Sequence, residues 1–159
     1  LKNIALKPHD ARSVAEEIES LVNTGRLSPR QAKAIDVDGM VRFFNSSVGQ
    51  RLIASSEVHR ETMFNYRASA RRFLNMDTDE FFILQGMIDC FFKENGRWIL
   101  LDYKTDYIMP GEDVTEAAMK HEKQLNLYSA ALADMTQIPV AEQYVCLLGA
   151  GAEVQIPFS

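Results

Sequence analysis

Asn95-Gly96 is the feature that most limits how this chain can fold. The pair stands between two apolar runs, "FFILQGMIDCFF" at 81–92 and "RWILLDYKT" at 97–105. A two-residue type I′ turn needs φ > 0 at both central residues, and Asn-Gly is the strongest short-range signal for one. The runs therefore predict two antiparallel strands in a defined register. Glu94 faces Arg97, and counting back along both strands brings Asp89 opposite Asp102. Side chains alternate along a strand, so Lys104 shares the face of Asp102, and Gln85 and Met87 are expected there too. The opposite face is expected to carry Leu84, Ile88, Cys90, Phe92, Ile99, Leu101 and Tyr103 as core. A slip of one residue would turn all of these over.

That register sets a chemical problem. Like charges directly opposite destabilise a sheet, and at about 5 Å two carboxylates repel or share a proton. A divalent cation relieves the conflict. Mg²⁺ favours carboxylates, carbonyls, water and substrate phosphates over a cage made wholly of protein. A lysine beside it could orient or deprotonate an attacking water, or steady developing phosphate charge. The stretch "ILLDYKTDY" at 99–107 thus reads as an apolar anchor ending in chemistry, with Asp106 a further acid just beyond.

The rest of the chain frames this hairpin. Val14, Ile18, Leu21 and Val22 mark a helical face between Asp10 and Asn23, with Asp10 to cap it and Gly25 to end it. "SPRQ" at 28–31 is a capping box opening a short helix. "DGMVRFFNS" and "SVGQRLIAS" suggest two more, the second with Ser47 and Gln50 as its box. The pattern turns strand-like in "EVHRETMFNYR", then passes through a loop with a helical turn to the hairpin. "DYIMPGED" is a Pro-Gly loop, Val114 to Met135 is helical, and "EQYVCLLGA" and "EVQIPF" read as closing strands. The expected class is α/β, mixed with α+β character, built on a central sheet. Residues 1–56 form its helical N-terminal part and 57–159 its core, within a single domain. The chain begins at Leu1 and is expected to be a piece of a longer polypeptide.

Composition narrows the function. A net charge of −5 argues against a simple basic nucleic-acid coat, though not against a metal-using enzyme acting on nucleic acid. Cys90 and Cys146 each sit in an apolar run and read as buried thiols, which suits a reducing, cytoplasmic setting. No apolar run is long enough to span a bilayer, and no signal peptide opens the chain. No Walker A motif occurs, so ATP would bind outside this chain.

"QGMIDCFF", "ILLDYKTD" and "KQLNLYSAAL", in this order and spacing, resemble the nuclease domain of the AddA/RecB helicase–nuclease family, within the PD-(D/E)xK superfamily. The resemblance implies a restriction-endonuclease-like mixed sheet flanked by helices. It implies Asp89 and Asp102 as metal ligands together with the carbonyl of Tyr103, and Lys104 as the catalytic lysine. It implies Gln124 and Tyr128 as the helix motif that supports the site and meets substrate. Their spacing of four independently puts those two on one helix face, with His121 a turn earlier. The family's pattern also has an upstream His in a G-x-x-x-H context. His9 in "KPHDAR" and His59 in "EVHRE" do not match it, so one ligand of the expected set is missing from this chain.

The implied function is a Mg²⁺-dependent (or Mn²⁺-dependent) exonuclease acting on single-stranded DNA. The strand would be unwound by helicase domains of the same polypeptide, with an AddB-like second subunit, in double-strand-break repair. One alternative is a non-catalytic nuclease-fold module for DNA guiding or subunit docking, which intact acids and lysine disfavour. Another is a metal-dependent phosphatase. Glu61 is an acidic neighbour on the preceding strand, expected to be a solvated or salt-bridged surface carboxylate. Arg51, Arg60, Arg67, Arg71 and Arg72 form the most basic region, either meeting phosphates or balancing nearby acids.

Overall fold

A computed structural model of the chain describes residues 3–74, 76–105, 108–109 and 111–158, without the side chains of Arg72 and Leu74. Four helices come first: α1 (Ala11–Asn23), α2 (Pro29–Lys33), α3 (Val37–Asn45) and α4 (Ser47–Ala54). Then follow β1 (Val58–Ser69), the helical turn α5 (Ala70–Leu74), β2 (Phe81–Glu94) and β3 (Arg97–Lys104). The chain closes with α6 (Val114–Met119), α7 (Glu122–Thr136), β4 (Val140–Leu147) and β5 (Ala152–Gln155). The strands form one sheet in sequence order, antiparallel throughout except between β3 and β4. That parallel step needs a crossover, which α6 and α7 supply. The mixed α/β architecture with a central sheet is the expected one.

Local chemistry accounts for most element ends. Asp10 accepts from Ser13 N at 2.7 Å and closes a capping box on α1, and Ser28 and Gln31 do the same for α2. The box expected at Ser47 is displaced by one residue. Ser46 caps α4 by accepting from Gly49 N, while the Gln50 side chain donates to Phe44 O at 2.6 Å. The helix expected from Val114 to Met135 is two helices, with Lys120 and His121 between them. Asn95 and Gly96 have φ of 50° and 75°, as the type I′ turn demands. Asp106, Tyr107 and Pro110 of the following loop lie outside the described residues.

Both faces of the sheet are core, not one. Helices α1, α3 and α4 cover one face, where Phe43, Phe44, Val48 and Leu52 meet Cys90, Phe92, Ile99, Leu101 and Cys146. Helices α6 and α7 cover the other, where Ala118, Leu125 and Leu132 meet Phe91, Trp98, Leu100, Val145 and Leu147. Burying both faces is what a parallel pair inside the sheet requires. Cys90 and Cys146 are free, buried thiols, and burial pushes the Cys90 thiol up to about 11. Gln143 is fully buried in β4 and fully used. It accepts from Ser129 Oγ at 2.6 Å and donates to Asn126 Oδ1 at 2.8 Å and to Pro157 O, fastening α7 to the sheet. Among the described residues no helix is long and apolar enough to cross a membrane.

The expected faces hold for β3 but fail along half of β2. Ile88 and Leu84 pack under α6 and α7, although Cys90 and Phe92, of the same parity, pack under the N-terminal helices. The strand turns over at Asp89. Met87 and Gln85 therefore point away from the Asp102 face, and both are exposed. Strand β1 turns over in step at Glu61: Val58 lies on the N-terminal-helix side, while Phe64, Tyr66 and Ala68 lie on the other. The β1–β2 ladder runs from Val58↔Phe92 to Ser69↔Phe81 with Glu61 and Asp89 unpaired between Arg60↔Cys90 and Thr62↔Ile88. Alternation assumes an unbroken pleat, and a matched break in two strands leaves no trace in a count of residues.

The basic region is largely committed to ion pairs and packing. Arg51 forms a bidentate pair with Glu94 at 2.7 and 3.0 Å and a second with Glu142 at 2.8 and 3.1 Å, tying α4 to β2 and β4. Arg60 donates to Ile4 O, Arg67 lies 4.0 Å over the Phe81 ring, and Arg71 pairs with Asp77 and Asp79. Arg51 lowers the pKa of both Glu94 and Glu142, chiefly through side-chain hydrogen bonds. A carboxylate with a depressed folded pKa stabilises the fold above its ordinary pKa of 4.5 and loses that contribution as pH falls through the folded value. Arg51→Met is expected to lose about 2 kcal/mol at neutral pH and to flatten the acid limb of the stability curve, measured by urea unfolding across pH. An unchanged acid limb would refute this account.

Candidate active site

The site forms where β2 leaves β3. The ladder between them keeps the expected register from Glu94↔Arg97 to Cys90↔Leu101 and ends there. Asp89 and Asp102 occupy the next position but do not pair through their backbones. Instead Asp89 Oδ2 accepts the backbone N–H of Tyr103 at 3.0 Å. The carboxylate thus takes a strand donor that the departing ladder no longer satisfies, which a buried amide requires.

Asp102 and Lys104 project from β3 toward α7, on the face of Trp98 and Leu100. Asp102 is 4% exposed, and its Oδ2 lies 2.8 Å from Lys104 Nζ. That approach lacks hydrogen-bond alignment, so Asp102 Oδ2 is a buried oxygen without a hydrogen-bond donor. The Lys104 ammonium donates instead to Gln124 Oε1 at 3.2 Å, and Gln124 Nε2 donates to Tyr128 Oη at 3.1 Å. The chain Asp102–Lys104–Gln124–Tyr128 joins strand to helix, using the spacing of four in α7. Asp89, half-buried, has its pKa raised, first by burial and further by the charges of Asp102 and Glu61, against the lowering effect of the Tyr103 N–H and Lys104.

This arrangement fits a hard cation by its chemistry. It offers two carboxylates, one accepting an amide N–H and the other buried against the Lys104 ammonium, and the electrostatics resist a second bare charge. Among the described residues no group of three or more His, Cys, Asp or Glu could hold a metal ion. The acids that this site brings together are two, Asp89 and Asp102.

Gly86 belongs to the site wall and was not singled out from the sequence. A Cβ there would sit 2.8 Å from the Phe64 ring and 3.2 Å from Tyr128 Oη. Phe64 holds the Tyr128 ring edge-on at 5.2 Å. A glycine inside a strand signals such a close approach, and "QGMID" carried that signal. Glu61, weighed as a surface carboxylate, stands opposite Asp89 across the β1–β2 ladder with φ of 48°.

The profile of the PD-(D/E)XK nuclease superfamily matches residues 5–155. The chain is 34% identical over 149 residues to the AddA-type polypeptide of the ATP-dependent helicase/nuclease of Clostridium acetobutylicum, covering 91% of this chain and 12% of that protein. It is 36% identical over 138 residues to the polypeptide of the same name from Thermoanaerobacter sp., covering 84% and 11%. The Pediococcus pentosaceus counterpart is 34% identical over 155 residues, covering 94% and 13%. The chain thus spans about one eighth of the length of these relatives.

Proposed function

This chain belongs to the PD-(D/E)XK nuclease superfamily, and from that premise we propose that it is the exonuclease domain of an ATP-dependent helicase/nuclease. It hydrolyses phosphodiester bonds of single-stranded DNA delivered by helicase domains of the same polypeptide. Nucleases of this superfamily generally use divalent metal ions, and here the ion is Mg²⁺, with Mn²⁺ as a substitute. The parent chain binds ATP, works beside an AddB-like second subunit in recombinational break repair, and resides in the cytoplasm. The observation that carries the reading is the pair of aspartates gathered around Tyr103, one of them buried and ion-paired to a lysine that α7 also holds.

Asp89, Asp102 and the Tyr103 carbonyl would hold the cation, and the chemistry it would supply there is activation of water and neutralisation of phosphate charge. Lys104 stands at Asp102 with its ammonium steered by Gln124, where its N–H donors would stabilise phosphate oxygens and orient the nucleophile. Gln124 accepts from that ammonium while it contacts Asp102, and Tyr128 keeps Gln124 oriented. Burial of the Asp102 side chain excludes water from the charged pair and strengthens each interaction.

Labelled single-stranded DNA incubated with Mg²⁺ is expected to be degraded by the wild-type protein and not by Asp102→Ala. EDTA stops the reaction, and a small phosphate monoester is untouched. Equal cleavage by both proteins would overturn the assignment of the site. Hydrolysis of the monoester without that of DNA would favour a phosphatase instead.

A further inference from the structure

We propose that Glu61 is a positioning residue of this site, and that it places Asp89 through its left-handed backbone. This inference rests on the reading of Asp89 as a site residue. Glu61 has φ of 48° in the middle of a twelve-residue strand. Left-handed backbone is uncommon for a residue with a side chain, and in a strand interior it persists only where surrounding structure holds it. The inversion coincides in register with the turnover of β2 at Asp89. Both strands change faces at this one step, from the packing of Val58, Cys90 and Phe92 to that of Phe64 and Ile88.

The consequence falls on Asp89. A residue in an unbroken strand points to one face or the other. Asp89 sits where the faces exchange, and its carboxylate reaches the Tyr103 amide of the neighbouring strand. Strict alternation with Phe91 would put Asp89 squarely on the Asp102 face and strict alternation with Met87 on the opposite one; at the exchange its carboxylate instead reaches the Tyr103 amide. The same turnover places Gly86 and Phe64 against Tyr128, so both halves of the site depend on it.

Five substitutions separate backbone from carboxylate. Gly adopts the left-handed region without penalty and Asn tolerates it, Gln keeps the side-chain size without charge, and Val and Ala resist the conformation to different degrees. Two readouts are taken: hydrogen exchange of the Tyr103 amide by NMR, and Mg²⁺-dependent cleavage of single-stranded DNA. Unfolding midpoints, followed by the fluorescence of buried Trp98, confirm that each variant is folded. Glu61→Gly, Glu61→Asn and Glu61→Gln are expected to keep Tyr103 protected and to cleave within about threefold of wild type. Glu61→Val is expected to lose that protection and to cleave about 10²-fold more slowly, the scale for a misplaced catalytic group. Should Val prevent folding, Ala serves: Gly protects Tyr103 better than Ala, the reverse of their order in an ordinary strand.

Loss of cleavage in Gly, Asn and Gln alike, with Tyr103 still protected, would overturn the proposal in favour of the carboxylate. Full protection and activity in Val would overturn it outright. If the wild-type protein does not cleave DNA, the reading of function falls, and the amide exchange still decides the role of Glu61.

Discussion

Asp89→Asn is expected to lower cleavage of single-stranded DNA by about 10³-fold while making the metal-free protein harder to unfold. The two effects have one cause. Burial, Asp102 and Glu61 all raise the pKa of Asp89, so its ionised form is unfavourable in the folded state. A carboxyl with a raised folded pKa destabilises the fold at neutral pH, and that penalty fades as pH falls through the folded value. Asparagine removes the charge and keeps an oxygen to accept the Tyr103 N–H. The same neutral amide is a far poorer ligand for a hard cation, and the lost charge stabilisation is several kcal/mol in the transition state. Urea unfolding with and without Mg²⁺ checks the stability half. Wild type gains from the ion and the variant does not, because only a state that binds is stabilised. A variant less stable than wild type without metal, or one that cleaves normally, would refute the account.

Lys104→Met is expected to cost both activity and stability, and the two losses are separable. Cleavage falls by about 10²–10⁴-fold, the range for removal of a positioned acid–base or charge-stabilising group. Stability falls by about 3 kcal/mol, since Asp102 is left buried with an oxygen that has no donor and no facing cation. Adding Asp102→Leu should restore most of the stability and none of the activity, because an apolar pair of similar volume avoids the desolvation of both charges. Chemical denaturation and single-turnover cleavage of the two single variants and the double variant form the cycle. A double variant less stable than Lys104→Met would mean that the pair is not the unit described.

Both expected outcomes follow from groups at the candidate site that do not suit the metal-free fold. The sheet is packed on both faces by apolar side chains, and the fully buried Gln143 has its hydrogen bonds satisfied. The unsatisfied Glu17 Oε2 in α1 and the raised carboxyl pKa of Glu153 in β5 lie elsewhere, but in β2 and β3 the two kinds of departure fall on neighbours, Asp102 and Asp89, where a bound cation would resolve both. Local departures of this kind are expected where binding, and not folding, sets the arrangement.

Much of the site was legible because its signals are local. Asn95-Gly96 dictates positive φ at two neighbours, and that alone put Asp89 and Asp102 at the same level of adjacent strands. Gln124 and Tyr128 share a face because a helix has 3.6 residues per turn, and they bond as that spacing allows. Other readings failed where a distant contact intervened. Arg51 was open to phosphates or to nearby acids, and Glu94 and Glu142 from two strands claim it. Gln85 and Met87 were assigned to the site face by alternation, which Asp89 and Glu61 interrupt together.

By itself, then, the sequence determined the turn, the register of the hairpin, the caps of α1 and α2, and the order of helices and strands. Each of these depends on dihedral preferences and hydrogen bonds spanning a few residues. Only the tertiary structure decided which face each half of β1 and β2 presents, where β2 parts from β3, and that α7 brings Gln124 to Lys104. Those outcomes depend on burying two separate apolar layers against one sheet, and the free energy of such burial belongs to contacts between segments far apart in the chain.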